Sequence, residues 1–129
     1  MAISPGPAAM LSRLIEHVQP ALSPLLNQGL PPGVIITDAS ILHTATQPGE
    51  RGGLEVFEII TISGHFRKNV FYRQHYFGQY ELAALRKQTF TDAIKPILLE
   101  MCKEIRADVT KFVLETDDYR AYLAVFGSQ

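Results

Sequence analysis

Between Leu82 and Ile105, apolar side chains return at helical spacing: Leu82, Leu85, Phe90, Ala93, Ile94, Ile97, Leu98, Met101 and Ile105. This spacing gathers them on one stripe of an α-helix, and a stripe that wide has to be buried against another layer. A long helix is therefore expected over Glu81–Ile105. Pro96 lies inside it. Proline lacks an N–H and its ring crowds the preceding turn, so a kink or break is expected there.

The first half offers a partner for that stripe. Met10, Leu11, Leu14, Ile15 and Val18 predict an amphipathic helix from Ala8, which Pro20 and Pro24 should end or kink before Leu30-Pro31-Pro32-Gly33 closes it. Val34–Thr46 and Leu54–Ser63 read as strands flanking a turn-forming loop, Gln47–Gly53. In the second strand Val56, Ile60 and Ile62 fall on one face and Phe57 and Ile59 on the other, as expected of an interior strand. Phe66–Tyr76 continues as a third strand or as an irregular arm. Val109–Glu115 and Tyr119–Phe126 read as a final pair of strands joined at Thr116-Asp117-Asp118. The fold class expected is α+β, a small mainly antiparallel sheet with two helices packed on one face, in the order α-β-β-α-β-β. Residues 1–7 form a flexible lead and 8–129 a single domain.

Composition bounds the function. A chain of 129 residues buries one core. Twelve basic residues against 13 acidic ones give a net charge of −1, without the basic excess of a general nucleic-acid or membrane-surface binder. One cysteine, Cys102, excludes an internal disulfide or a multi-cysteine zinc site, and reads as a small buried hydrophobe. No N-terminal leader is visible: Met1–Met10 has no basic residue and is interrupted by prolines. The longest uncharged stretch, His17–Thr37, contains four prolines and several polar residues and is unsuited to spanning a membrane. The expected location is the cytoplasm.

No glycine-rich phosphate loop, nucleophile elbow or His-x-x-x-His pair is present. His17, His43, His65 and His75 are scattered, and the spacing of the last two is not that of a metal site. No metal or other cofactor is expected. The anomaly is His65–Lys87, which holds six of the twelve aromatic residues within 15 positions, together with Arg67, Lys68, Arg73, Arg86 and Lys87 against only Glu81. Such a mixture can stack single-stranded nucleic acid or make a protein-binding hot spot, or it can be an ordinary strand divided between core and edge. The balanced charge argues against nucleic acid. Glu100–Asp118, with six acidic and three basic residues, reads as a solvated face or an aid to partner registration.

The run Tyr80-Glu-Leu-Ala-Ala-Leu-Arg86 through Lys95-Pro96-Ile-Leu-Leu-Glu100 and Met101-Cys-Lys-Glu-Ile105, followed by Ala107-Asp-Val-Thr-Lys-Phe and Leu123-Ala-Val-Phe126, resembles the MpsC-like family of small bacterial proteins. The resemblance covers Tyr80–Phe126. The family's Gly-x-Leu-Thr-Pro-Ala-Glu connection is replaced here by Gly64-His-Phe-Arg-Lys-Asn and the aromatic arm. The resemblance implies a strand and closing hairpin after the long helix, and a role as accessory subunit of a membrane ion or inorganic-carbon transport system. It supplies no catalytic residues.

The residues themselves favour a non-enzymatic protein-binding module, an adaptor or assembly chaperone. It would hold an extended segment of a partner, such as a tail of a multi-subunit assembly component, and could also pair as a homodimer. The partner-binding residues expected are His65, Arg67, Phe71, Tyr72, Arg73, Tyr76 and Phe77. Phe71, Tyr72, Tyr76 and Phe77 would line pockets along a sheet edge. A small-ligand enzyme would instead require His65, His75 and Arg73 to converge on one cleft.

Overall fold

The computed structural model describes residues 7–45, 57–78, 81 and 90–126. Helix α1 (Pro7–Leu26) leads into strands β1 (Thr37–Ala45), β2 (Phe57–Phe66) and β3 (Asn69–Gly78). Helices α2 (Phe90–Leu114) and α3 (Asp117–Phe126) follow. The class is α+β, with a three-stranded antiparallel meander in the order β1-β2-β3. Helix α1 packs chiefly beneath β1, α2 packs beneath β3 and β2, and the two helices touch each other. The lead, the Gln47–Gly53 loop and most of Glu81–Thr89 lie outside the described residues.

The element order is α-β-β-β-α-α, not α-β-β-α-β-β. The aromatic arm is a full strand. The closing hairpin expected over 109–126, both from β-branched content and from the family resemblance, is helical instead. Val109 and Val113 are buried and Phe112 packs against the core, continuing the stripe of Ile94, Leu98, Met101, Cys102 and Ile105 at three- and four-residue spacing. Intrinsic preferences differ by less than about 1 kcal/mol per residue, so a continuous buried stripe overrides them. At the corner after α2, the Glu115 amide donates to the Lys111 carbonyl (3.1 Å) and the Thr116 hydroxyl donates to the Val113 carbonyl (3.0 Å).

The prolines do not break the helices. Pro20 and Pro24 lie inside α1 and Pro96 inside α2, with helix on both sides of each. All three face solvent, so water can reach the carbonyls left without an amide donor. The C-terminal end of α1 is held from α2, where Arg106 Nη1 donates to the Leu25 carbonyl at 2.6 Å.

Side chains directly opposite in an antiparallel pair share a face. Register therefore puts Ile41 and His43 of β1, Glu58, Ile60, Ile62 and Gly64 of β2, and Phe71, Arg73, His75 and Phe77 of β3 on the helix-covered face. Leu42, Ile59, Thr61, Ser63, Val70, Tyr72, Gln74 and Tyr76 take the other. The core gathers Leu11, Leu22, Leu26, Ile36, Ile60, Ile62, Phe77 and the α2 stripe. Gly64 leaves room for α1 to approach: a Cβ there would collide with Ile36 Cγ2 and touch Leu26.

Candidate functional site: the β3 edge and the open sheet face

A three-stranded sheet has two edges, and this one treats them differently. At β1 the register slips between Thr37 and Ser40, and Asp38 adopts a positive φ of 52°. Gln19 of α1 then binds the strand as a neighbouring strand would. Its Nε2 donates to the Ala39 carbonyl at 3.0 Å, and its Oε1 accepts from the Ile41 amide at 3.0 Å. Just upstream, Asn27 Nδ2 donates to the Ile36 carbonyl (3.0 Å) and Oδ1 accepts from the Ile36 amide (2.7 Å). A bulge and side-chain clips are recognised ways of closing an edge.

The β1 clips fix the polarity of the whole sheet. Because the Ile41 amide and Ala39 carbonyl point outward, Ser40, Leu42 and Thr44 bond inward to Ser63, Thr61 and Ile59. The alternate β2 residues, Glu58, Ile60, Ile62 and Gly64, then bond to Phe77, His75, Arg73 and Phe71. The outward backbone groups of β3 belong to Val70, Tyr72, Gln74 and Tyr76. Among the described residues, one of these groups is engaged: the Tyr72 carbonyl accepts from Arg73 Nη1 at 2.9 Å. The strand is ten residues long, regular in register, and contains no proline or lysine.

The face carrying the same four side chains is open. Leu42 is 57% exposed, Val70 56%, Tyr72 56% and Tyr76 48%, around a buried Ile59. The Tyr76 ring meets Phe57 edge-on at 6.2 Å between centroids, and its hydroxyl donates to Gln74 Oε1 at 3.3 Å.

The seven residues expected to bind a partner are divided by the pleat. Tyr72 and Tyr76 stand on the open face. His65 shares that face at the far end of β2, with Nδ1 3.1 Å from Asp38 Oδ2. Phe77 is fully buried and Phe71 packs edge-on against Phe112 at 5.6 Å, so neither lines an open pocket with the tyrosines. Arg67 occupies the β2–β3 turn with a φ of 58°, its guanidinium 5.1 Å from the Phe66 ring centroid. Arg73 projects from the edge to α2: Nε donates to Glu104 Oε2 at 2.9 Å, and Nη2 lies 2.5 Å from Asp108 Oδ2. Partial burial works against the Arg73 charge, but the Glu104 hydrogen bond and the Asp108 charge outweigh it, and its pKa is raised. His75 lies on the helix face, Nε2 3.3 Å from Glu81 Oε1 and its ring 4.3 Å from that of Phe77. His65, Arg73 and His75 therefore do not converge on one cleft.

The sequence reading missed a polar chain under the sheet. Ser12 Oγ lies 2.8 Å from His43 Nδ1, and His43 Nε2 lies 2.7 Å from Glu58 Oε2. The His43 and Glu58 side chains are 11% and 10% exposed, and Glu58 is the buried charged residue of the described core. With Nε2–H donated to Glu58, the other ring nitrogen is left to bond the Ser12 hydroxyl, which can donate or accept. The chain satisfies a carboxylate that burial would otherwise penalise and ties α1 to two strands. The signal was present: His43 and Glu58 share the inward parity of Ile41 and Ile60. Cys102 is buried, and desolvation pushes its thiol pKa up, leaving it a packing residue in this core.

Among the described residues no group of three or more His, Cys, Asp or Glu is arranged to hold a metal ion, and no helix is long and apolar enough to cross a membrane. No family model matches the chain, and comparison with curated proteins and with solved structures finds no match either.

Proposed function

We propose that this protein is a non-enzymatic protein-binding module that holds an extended segment of another protein against β3. One observation carries the reading: among the described residues the sheet has one closed edge and one open edge. Gln19, Asn27 and a bulge occupy the β1 side, while Val70, Tyr72, Gln74 and Tyr76 turn backbone groups outward on the β3 side, where Arg73 takes the Tyr72 carbonyl. Strand addition takes its affinity from such main-chain groups and its selectivity from alternate side chains. Tyr72, Tyr76, Val70 and Leu42 on the open face supply exposed apolar area beside the added strand. On this reading the two tyrosines contribute more than Arg67, and Phe77 contributes only through the core.

Proline at position 74 tests the mechanism. The Gln74 amide points away from β2, so Gln74→Pro removes an edge donor without removing a ladder hydrogen bond, and edge strands tolerate proline in that orientation. Decapeptides selected from a displayed random library against the wild-type chain provide the probes, read by fluorescence anisotropy. The expected result is binding to wild type that falls by about tenfold or more in Gln74→Pro, a loss of about 1.4 kcal/mol, while Gln74→Ala, which loses the same side-chain bonds to Thr61 and Tyr76, keeps binding and melts with Gln74→Pro. Selection of no binder, or equal binding by Gln74→Pro, overturns the proposal.

A further inference from the structure

The groove between β3 and α2 specifies what the segment must carry, an inference that rests on the strand-addition reading above. Helix α2 runs antiparallel to β3: Phe112 meets Phe71, while Glu104 and Asp108 meet Arg73. One stretch of groove is lined by Arg73, Gln74 and His75 from the strand and Pro96, Ile97, Glu100, Met101 and Glu104 from the helix. A second, lined by Val70–Gln74 and Asp108, continues it along the edge past Arg73. Glu100, Glu104 and Asp108 thus form one row, four residues apart, beneath the space that an added strand would fill.

The charges in that row do not balance. Arg73 holds Glu104 and Asp108, and His75 pairs with Glu81. Glu100 has no hydrogen bond or ion pair among the described residues, and it lines the same stretch of groove as His75. An added strand alternates its side chains as β3 does. Positions beside Val70, Tyr72, Gln74 and Tyr76 face the open surface, and those beside Arg73 and His75 face the groove.

We infer that the segment captured at β3 alternates apolar residues, laid against Tyr72 and Tyr76, with groove-facing positions of which the one beside His75 is Lys or Arg, paired with Glu100. The aliphatic stem of that side chain lies along Ile97 and Met101 while its charge reaches the carboxylate. A second copy of this chain is the poorer occupant. Pairing β3 with its own copy places two rows of Glu100, Glu104 and Asp108 on the same side of one sheet, and like charges oppose that arrangement.

Three synthetic decapeptides, identical in their alternating valines and differing only in whether the central groove-facing position is Lys, Glu or Ser, test this by fluorescence anisotropy. The expected order at low salt is Lys ahead of Ser ahead of Glu, with about tenfold between the extremes. The gap should narrow when salt shortens the screening length from ~30 Å to ~3 Å. Glu100→Lys, an exposed change of the kind that usually leaves stability within about 0.5 kcal/mol, should reverse the order. Equal binding by all three, or an order that Glu100→Lys leaves untouched, overturns the inference while leaving strand addition standing, provided Gln74→Pro still weakens binding. Binding by none of them, when library-selected peptides also fail, overturns both. A stable dimer by sedimentation that Gln74→Pro dissolves would show that the second copy is the occupant and overturn the choice of a basic segment.

Discussion

Gly64 shows how much one side chain can decide. It sits on the covered face of the central strand, opposite Phe71, where Ile36 and Leu26 close in from the α1 side. Ile36 is branched at Cβ and buried, so its Cγ2 cannot swing away cheaply. Gly64→Ala is expected to lower stability by about 1–3 kcal/mol, as overpacking of cores does, measured from the midpoint of urea unfolding. At this scale the sequence was legible where chemistry is local. Cys102 read as a buried hydrophobe and is one. It was opaque where a side chain's meaning depends on register. Phe71, Tyr72, Tyr76 and Phe77 form one cluster in sequence, but the pleat sends the tyrosines outward and the phenylalanines toward the helices. Glu58 and His43 are 15 residues apart and become partners only when β1 and β2 align.

At the scale of elements, α1, the first two strands and the part of α2 up to Ile105 were visible as periodic patterns, and both helices pack on one face as expected. Two features escaped. Pro20, Pro24 and Pro96 were expected to kink, end or break their helices, and α1 and α2 run through all three without a break. The stretch after Ile105 was assigned by composition when its spacing continued the helical stripe through Val109 and Val113. Nothing in the sequence marked Gln19 as a mimic of a strand. Its two bonds to Ala39 and Ile41 join residues about 20 positions apart. Gln19→Ala should cost about 1–2 kcal/mol for those two hydrogen bonds. It should also free the β1 edge, so that sedimentation at rising concentration shows self-association absent from the wild type.

The molecule as a whole is a meander shielded on one side. Its amides should report that asymmetry. In β3, alternate amides bond to β2 and the rest face outward, so hydrogen exchange followed by NMR should show Phe71, Arg73, His75 and Phe77 protected, with Tyr72, Gln74 and Tyr76 exchanging fast. Addition of a bound segment should slow the second set and leave the first unchanged. Uniform protection along the free strand would mean that the edge is already occupied.

The closed β1 edge has a consequence for stoichiometry. Growth of a cross-strand polymer requires each unit to offer two docking lines, one to accept and one to be accepted. Here Gln19 and the bulge remove one of them, so a chain engaged at β3 presents no second line for the next copy. On the strand-addition proposal the protein would be monovalent, sealing one exposed strand and offering no edge to the next.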